Sequence, residues 1–229
     1  MLNALTKELN SLRNPEKIEV YQRFFKTGKG EYGEGDIFMG LTMPQIRSTI
    51  KNYIKIPLNN LSPLLESKVH EHRMAALIIL THKYKENPKQ VYDFYLKNTK
   101  YINNWDLVDV TCPRIVGEYL KDKDRKILYK LANSKNLWEK RIGIISTMRF
   151  IKDKDFKDTI AISEILLKDS HDLIHKAVGW MLREVGKKDQ EVLETFLKKH
   201  YKQMPRTMLR YSIERFEESK RQAYLKNKI

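Results

Sequence analysis

Residues 171–186 read HDLIHKAVGWMLREVG. Ile174, Ala177, Val178, Met181, Leu182 and Val185 recur at spacings of three and four, which lays an apolar stripe along one side of a helix. Lys176, Trp180 and Arg183, at i, i+4 and i+7, share another face of the same helix. Gly186 follows where a helix C-cap would stand. The same period runs through 71–84, 105–120, 137–151, 191–202 and 206–218, and no stretch alternates apolar and polar for long enough to require a strand. The chain reads as all-α.

A weak internal repeat sharpens that reading. Arg73-Met-Ala-Ala-Leu, Arg141-Ile-Gly-Ile-Ile and Lys176-Ala-Val-Gly-Trp each set a basic residue ahead of small and apolar ones. The first two begin 68 residues apart and the last two 35, which fits a unit of about 34–35 residues, and one step on from Arg73 lands in Trp105–Asp109. One helix pair per unit, stacked side by side, is an α-solenoid, and without the marker residues of tetratricopeptide repeats the pairs are HEAT-like antiparallel helices. Seven prolines and nine glycines leave no evident linker, so one domain over 1–229 is expected.

The 229 residues carry 44 Lys and Arg against 29 Asp and Glu, a net charge of +15. Such a balance points to a polyanionic partner, most often nucleic acid. Ten basic residues against three glutamates fall between 198 and 229, and Arg206 and Arg210 there share a helix face suited to phosphate. The single Cys112 excludes a disulfide framework and a cysteine-rich zinc module, and fits a reducing compartment. The longest clear apolar run, Ala75 to Leu80, is far short of a membrane span. The opening MLNALTKELNSLRNPEK has neither the apolar stretch nor the cleavage site of a signal peptide. A cytoplasmic protein, not embedded in a membrane, is the expectation.

Few patterns invite catalysis of a familiar kind. Five glycines lie between Gly28 and Gly40, but no Gly-Lys-Ser/Thr and no preceding strand accompany them, so a nucleotide-binding loop is not expected. After that loop, Thr42 and Gln45 have the spacing of a helix-capping box. His171 and His175 are four apart, yet Asp172 stands where a zinc protease has Glu and no third ligand is evident. His70 and His72, two apart, splay around a helix. No metal and no cofactor are expected. Cys112, directly before Pro113, reads as a small buried hydrophobe.

The tryptophans are more informative, because all three lie beside charge. Trp105 and Asp109 are i and i+4 in Asn103-Asn-Trp-Asp-Leu-Val-Asp109, while Leu107 and Val108 turn toward the core. Trp138 and Arg141 are i and i+3. Flat rings among basic residues suit a nucleic acid, since cations fix phosphates and rings stack on what lies between them. Asp109 is the odd member, a carboxylate that repels phosphate and therefore either pairs locally or has a task.

Those segments, Asn104-Trp105-Asp-Leu-Val-Asp109, Trp138-Glu-Lys-Arg141 and Lys176-Ala-Val-Gly-Trp180-Met-Leu-Arg183-Glu, with Pro44 and Arg47 ahead of them, resemble the AlkD-like DNA alkylation-repair glycosylases, built from HEAT-like repeats. The resemblance spans nearly the whole chain, in order. It implies hydrolysis of the N-glycosidic bond of N3- or N7-alkylated purines in duplex DNA, without a cofactor and by a monomer. It also implies that Trp105 and Trp180 flank the lesion's deoxyribose, that Asp109 is the catalytic carboxylate, and that Arg141 and Arg183 grip phosphates. Lys176, Arg47, Arg206 and Arg210 are expected to join them on the DNA backbone. The chemistry is consistent: a cationic purine departs neutral, and one carboxylate suffices to stabilise the oxocarbenium-like sugar and orient water. Well-studied members have Trp-Trp where this chain has Asn104-Trp105, a tyrosine where Phe24 aligns, and no counterpart of the loop 28–36. The alternatives are a catalytically silent HEAT-like nucleic-acid binder and a protein-interaction scaffold.

Overall fold

The computed structural model describes all residues from 1 to 229 and divides them into two compact units, Met1–Thr111 and Cys112–Ile229. Both are helical, and the only β feature is one parallel bridge between Ile37 and Val69. No helix is long and apolar enough to cross a membrane.

The first unit contains α1 (Leu2–Ser11), α2 (Pro15–Phe24), α3 (Met43–Ile50), α4 (Ser62–Leu65), α5 (His70–Lys83), α6 (Pro88–Lys97) and α7 (Trp105–Cys112), the last running one residue past the boundary. Proline opens α2 and α6, where its missing N–H costs nothing. Gln45 Oε1 accepts the Thr42 backbone N–H at 2.9 Å and its hydroxyl at 2.7 Å, fixing the start of α3 as the sequence predicts. Helices α3, α4 and α6 all pack on α5. Every residue of α5 from His70 to Leu80 is buried, so this helix is covered on all sides. Its first turn, His-Glu-His-Arg, thereby carries four polar side chains inside, where each must find partners.

The second unit contains α8 (Glu118–Leu120), α9 (Lys126–Ala132), α10 (Leu137–Ile145), α11 (Met148–Lys152), α12 (Lys157–Ile165), α13 (Asp172–Lys188), α14 (Gln190–His200), α15 (Arg206–Ser212) and α16 (Glu218–Leu225). Short connections and mutual packing make α9–α10 and α12–α13 antiparallel pairs; α10 then lies on α13 and α9 on α12, the side-by-side stacking of HEAT-like units. Helices α5, α7, α10 and α13 begin at 70, 105, 137 and 172, which is the repeat read from the sequence.

Glycine sets the closest approaches. A Cβ on Gly179 would stand 2.5 Å from Tyr211 Cβ and 2.6 Å from the Met208 carbonyl, so α15 reaches α13 only because position 179 has no side chain. Gly186 departs from its expected role. It is not a C-cap: α13 continues to Lys188, and a Cβ at 186 would meet Leu193 Cδ2 of α14 at 2.4 Å. Position 186 thus faces α14 rather than a chain reversal, and Asp189 makes the turn by accepting the Val192 N–H at 3.2 Å. Two predicted helices are also interrupted. The run 105–120 widens into a π turn at Pro113–Gly117, where proline has no N–H to give. The run 137–151 breaks after Ile145, where the Thr147 hydroxyl donates to the Ile144 carbonyl at 2.7 Å and competes with the helix.

Candidate functional site

In the first unit, Leu107 and Val108 face the core and leave Trp105 and Asp109 half-buried on the other side of α7. What fixes the first turn of α7 is a buried charge network. His70 Nε2 donates to Asp106 at 2.9 Å, and its Nδ1 lies 3.6 Å from Asp36, an ion-pair distance too long for a hydrogen bond. Arg73 pairs with Asp36 at 2.7 Å. Asn104 Nδ2 donates to Asp36 at 3.3 Å while its Oδ1 accepts the Trp105 N–H at 2.8 Å. Asn104, which replaces the first tryptophan of the family pair, is thus a fully buried bridge from the loop at Asp36 to the helix carrying Trp105 and Asp109.

Electrostatics follow from that geometry. Burial works against a charged His70, but the Asp106 carboxylate and the interactions with Asp106 and Asp36 prevail and raise its pKa to about 9. Burial alone would raise the Asp36 carboxyl; His70 and Arg73 outweigh it and hold it below its ordinary value. For His72, two residues on, burial and then the Arg73 charge lower the pKa, and its ring contacts Ser67 and Asn10. Glu71 accepts backbone N–H groups from Met39 at 3.0 Å, Gly40 at 2.9 Å and Leu41 at 3.2 Å, and so folds the end of the glycine-rich loop onto α5. Gly40 has φ +80°, and a Cβ there would strike the Asn14 carbonyl at 2.3 Å.

Around this network stands an aromatic group. Phe25 stacks on Phe38 at 4.9 Å and on Trp105 at 5.4 Å, and Phe24 meets Trp105 edge-on at 5.7 Å. Tyr21 lies edge-on to Phe25 and Phe38. Phe24 is 60% exposed. These rings, with His70, Glu71 and Asp106, line a half-open cavity of about 190 Å³. Arg47 sits in the last turn of α3, half-buried.

The second unit holds the other sequence-predicted residues. Lys176, Trp180 and Arg183 share one side of α13, and all three are half-buried. Each is engaged with a carboxylate: Lys176 with Asp172 at 2.6 Å, Trp180 Nε1 with Glu184 at 3.2 Å, and Arg183 with Glu214 and Glu184. Burial of Asp172 is outweighed by Lys176 and Thr207, which lower its pKa. Lys176 and Arg210 line one depression of about 430 Å³ between α13 and α15. Arg206 instead donates to the Leu225 carbonyl at 2.7 Å. Arg141 is 5% exposed and donates to the Leu173 carbonyl, tying α10 to the start of α13. Trp138 is a core residue of this unit. His171 caps α13 by accepting the Leu173 N–H at 3.1 Å, and His175 contacts the Asp169 carbonyl, so both are structural. No group of three or more potential metal ligands occurs.

Sequence reasoning missed His70, Glu71, Phe25 and Phe38. The signal available was the run of four titratable residues His70–Arg73 leading straight into Met-Ala-Ala-Leu-Ile-Ile-Leu, a polar turn at the mouth of a core helix.

Comparison with known proteins bears on this arrangement. A family model described as DNA alkylation repair enzyme matches residues 5–216. A predicted DNA alkylation repair enzyme from Enterococcus faecalis has a similar solved structure, with a TM-score of 0.69 over 89% of this chain and 96% of its own, at 15% identity. At that identity the likeness is one of fold. No curated protein matches the chain.

Proposed function

The chain belongs to the DNA alkylation repair enzyme family, and from that premise we propose that it is a DNA glycosylase hydrolysing the N-glycosidic bond of N3- or N7-alkylated purines in duplex DNA. The observation that carries the proposal is the family match over residues 5–216, which spans every proposed site residue. In this reading Asp109 stabilises the oxocarbenium-like sugar and orients the attacking water, and Trp105 and Trp180 offer their π faces to the cationic sugar. The base carries its own positive charge and leaves neutral, so no general acid is required.

Lys176 and Arg183 exchange their carboxylate partners for DNA phosphates, and Arg47, Arg141, Arg206 and Arg210 extend the backbone contacts. The protein acts as a monomer in the cytoplasm. The test is free base release from a duplex containing N7-methylguanine. Asp109→Asn is expected to abolish release while leaving DNA affinity within about threefold of the parent; release that survives this substitution removes Asp109 from the mechanism.

One observation favours a second reading, a catalytically silent DNA-binding member. Phe25 already stacks on the Trp105 ring, so one face of that tryptophan is occupied by the protein itself. Under this reading lesion-containing and unmodified duplexes bind alike and no base is released.

A further inference from the structure

We propose that Asp36 and Asn104 are a pair of positioning residues: the hydrogen bond between their buried side chains aims Trp105 and Asp109 for the reaction. The proposal rests on the glycosylase reading of Trp105 and Asp109 above; the aiming itself rests on the geometry of the first unit.

Trp105 is bracketed by two tethered neighbours. Before it, Asn104 donates to Asp36 at 3.3 Å and accepts the Trp105 N–H at 2.8 Å. After it, Asp106 accepts from His70 at 2.9 Å with one oxygen and from the Leu107 N–H at 2.8 Å with the other. Both tethers end in one place. Asp36 and His70 face each other at 3.6 Å, and Arg73 reaches Asp36 at 2.7 Å and the Ser67 carbonyl at 2.8 Å. Leu107 and Val108 fix where α7 lies in the core. The tilt of its first turn, and with it the direction of Trp105 and Asp109, is left to these polar ties.

Capping alone does not account for the pair. A side-chain oxygen at 104 is enough to serve the Trp105 N–H, and serine would supply one. The tie from Nδ2 adds direction, and it demands a buried carboxylate, which is costly unless it is paired. The glycine-rich loop is built to deliver that carboxylate. Gly35 bends at φ +87°, and the Asp36 N–H donates to the Gly33 carbonyl at 3.1 Å. Beyond it, the Ile37 N–H donates to the Lys68 carbonyl at 3.0 Å, and the His70 N–H to the Ile37 carbonyl at 2.8 Å. The two departures seen in the sequence, Asn104 and the loop 28–36, are thus halves of one device. Misplacing a reacting group by about 1 Å can cost about a hundredfold in rate, so the tie acts on the chemical step more than on binding.

The experiment compares three variants of the full chain: Asn104→Ser, Asn104→Asp, and the exchange Asp36→Asn with Asn104→Asp. Serine keeps an acceptor for the Trp105 N–H but falls short of Asp36. Aspartate at 104 sets carboxylate against carboxylate. The exchange restores the bridge with donor and acceptor reversed and the charge of the network unchanged. Single-turnover base release from an N7-methylguanine duplex and affinity for that duplex are measured for each. The 15N indole spectrum is recorded in parallel, with Trp138 and Trp180 of the second unit as internal references. Both single variants are expected to release base about ten- to a hundredfold more slowly, with affinity within about threefold of the parent and a shift of the Trp105 signal alone. The exchange should return the Trp105 signal and bring the rate to within about threefold of the parent. Undiminished rates in both single variants, rate and affinity falling in step, or an exchange no better than Asn104→Asp would each overturn the proposal. If the wild-type chain releases no base, the glycosylase reading fails by itself and the indole spectra decide the pair. A Trp105 signal that moves in Asn104→Asp and returns in the exchange supports it; one that stays in place overturns it.

Discussion

The seam between α13 and α15 offers a quantitative test, because it is closed by one missing methyl. In Gly179→Ala the new Cβ would lie 2.5 Å from Tyr211 Cβ and 2.6 Å from the Met208 carbonyl oxygen, whereas ordinary contact begins near 3.4 Å. Both opposing atoms belong to or adjoin the backbone of α15, so they cannot rotate away. The helices must part by close to 1 Å. Overpacking of this kind costs about 1–3 kcal/mol, and the better helix propensity of alanine returns about 1 kcal/mol, for a net loss of about 1–2 kcal/mol. Gly186→Ala is the matched control. Its Cβ meets the end of the flexible Leu193 side chain, which can change rotamer, so the same propensity gain leaves the variant neutral or slightly stabilised. Urea denaturation followed by far-ultraviolet circular dichroism should show a lower midpoint at unchanged slope for Gly179→Ala and no loss for Gly186→Ala. A Gly179→Ala protein as stable as the parent, or equal losses at both sites, would refute the argument that the closeness of α15 to α13 is what demands glycine.

Other consequences follow from the same geometry. With its pKa raised to about 9 in the folded state, His70 contributes stability that is complete below its ordinary value near 6.5 and is lost as pH rises through 9; an imidazole NMR titration with a midpoint below 6.5 would contradict the clamp. Glu71→Gln removes the charge from an acceptor of three backbone N–H groups and turns a donor toward them. A loss of about 2–4 kcal/mol is expected, with faster amide exchange at Met39, Gly40 and Leu41, and unchanged protection there would argue against it. Arg210 is exposed beside Lys176, so Arg210→Gln should lower the slope of log K against log salt for duplex binding by about 0.9. An unchanged slope would remove Arg210 from the interface.

How far the sequence could be read depended on whether burial was one-sided. Helix α13 shows its apolar stripe plainly because it has a wet face, and the faces carrying Trp105 with Asp109 and Lys176 with Trp180 and Arg183 follow from spacing alone. Helix α5 hides its importance for the opposite reason. It is buried nearly all round, so the apolar period read over 71–84 singles out no one face, and the His70–Arg73 turn looks like a solvated start. The splay of His70 and His72 is legible in the sequence; what the sequence could not supply was that each direction ends on a different partner from another part of the first unit, Asp106 for His70 and Asn10 for His72. Gly186 misled because its local signal, a glycine after an apolar run, is the same for a C-cap and for a close helix contact. Asn104 looked like a lost tryptophan and is instead the bridge between Asp36 and Trp105.

The most direct test of the account is a single-turnover measurement of base release by the wild-type chain. Its substrates are a duplex with one N7-methylguanine and the same duplex unmodified. The glycosylase reading predicts free 7-methylguanine from the first and nothing from the second. Tight, salt-sensitive binding to both duplexes with no base released would contradict it and leave a silent DNA-binding protein; failure to bind either would leave a scaffold.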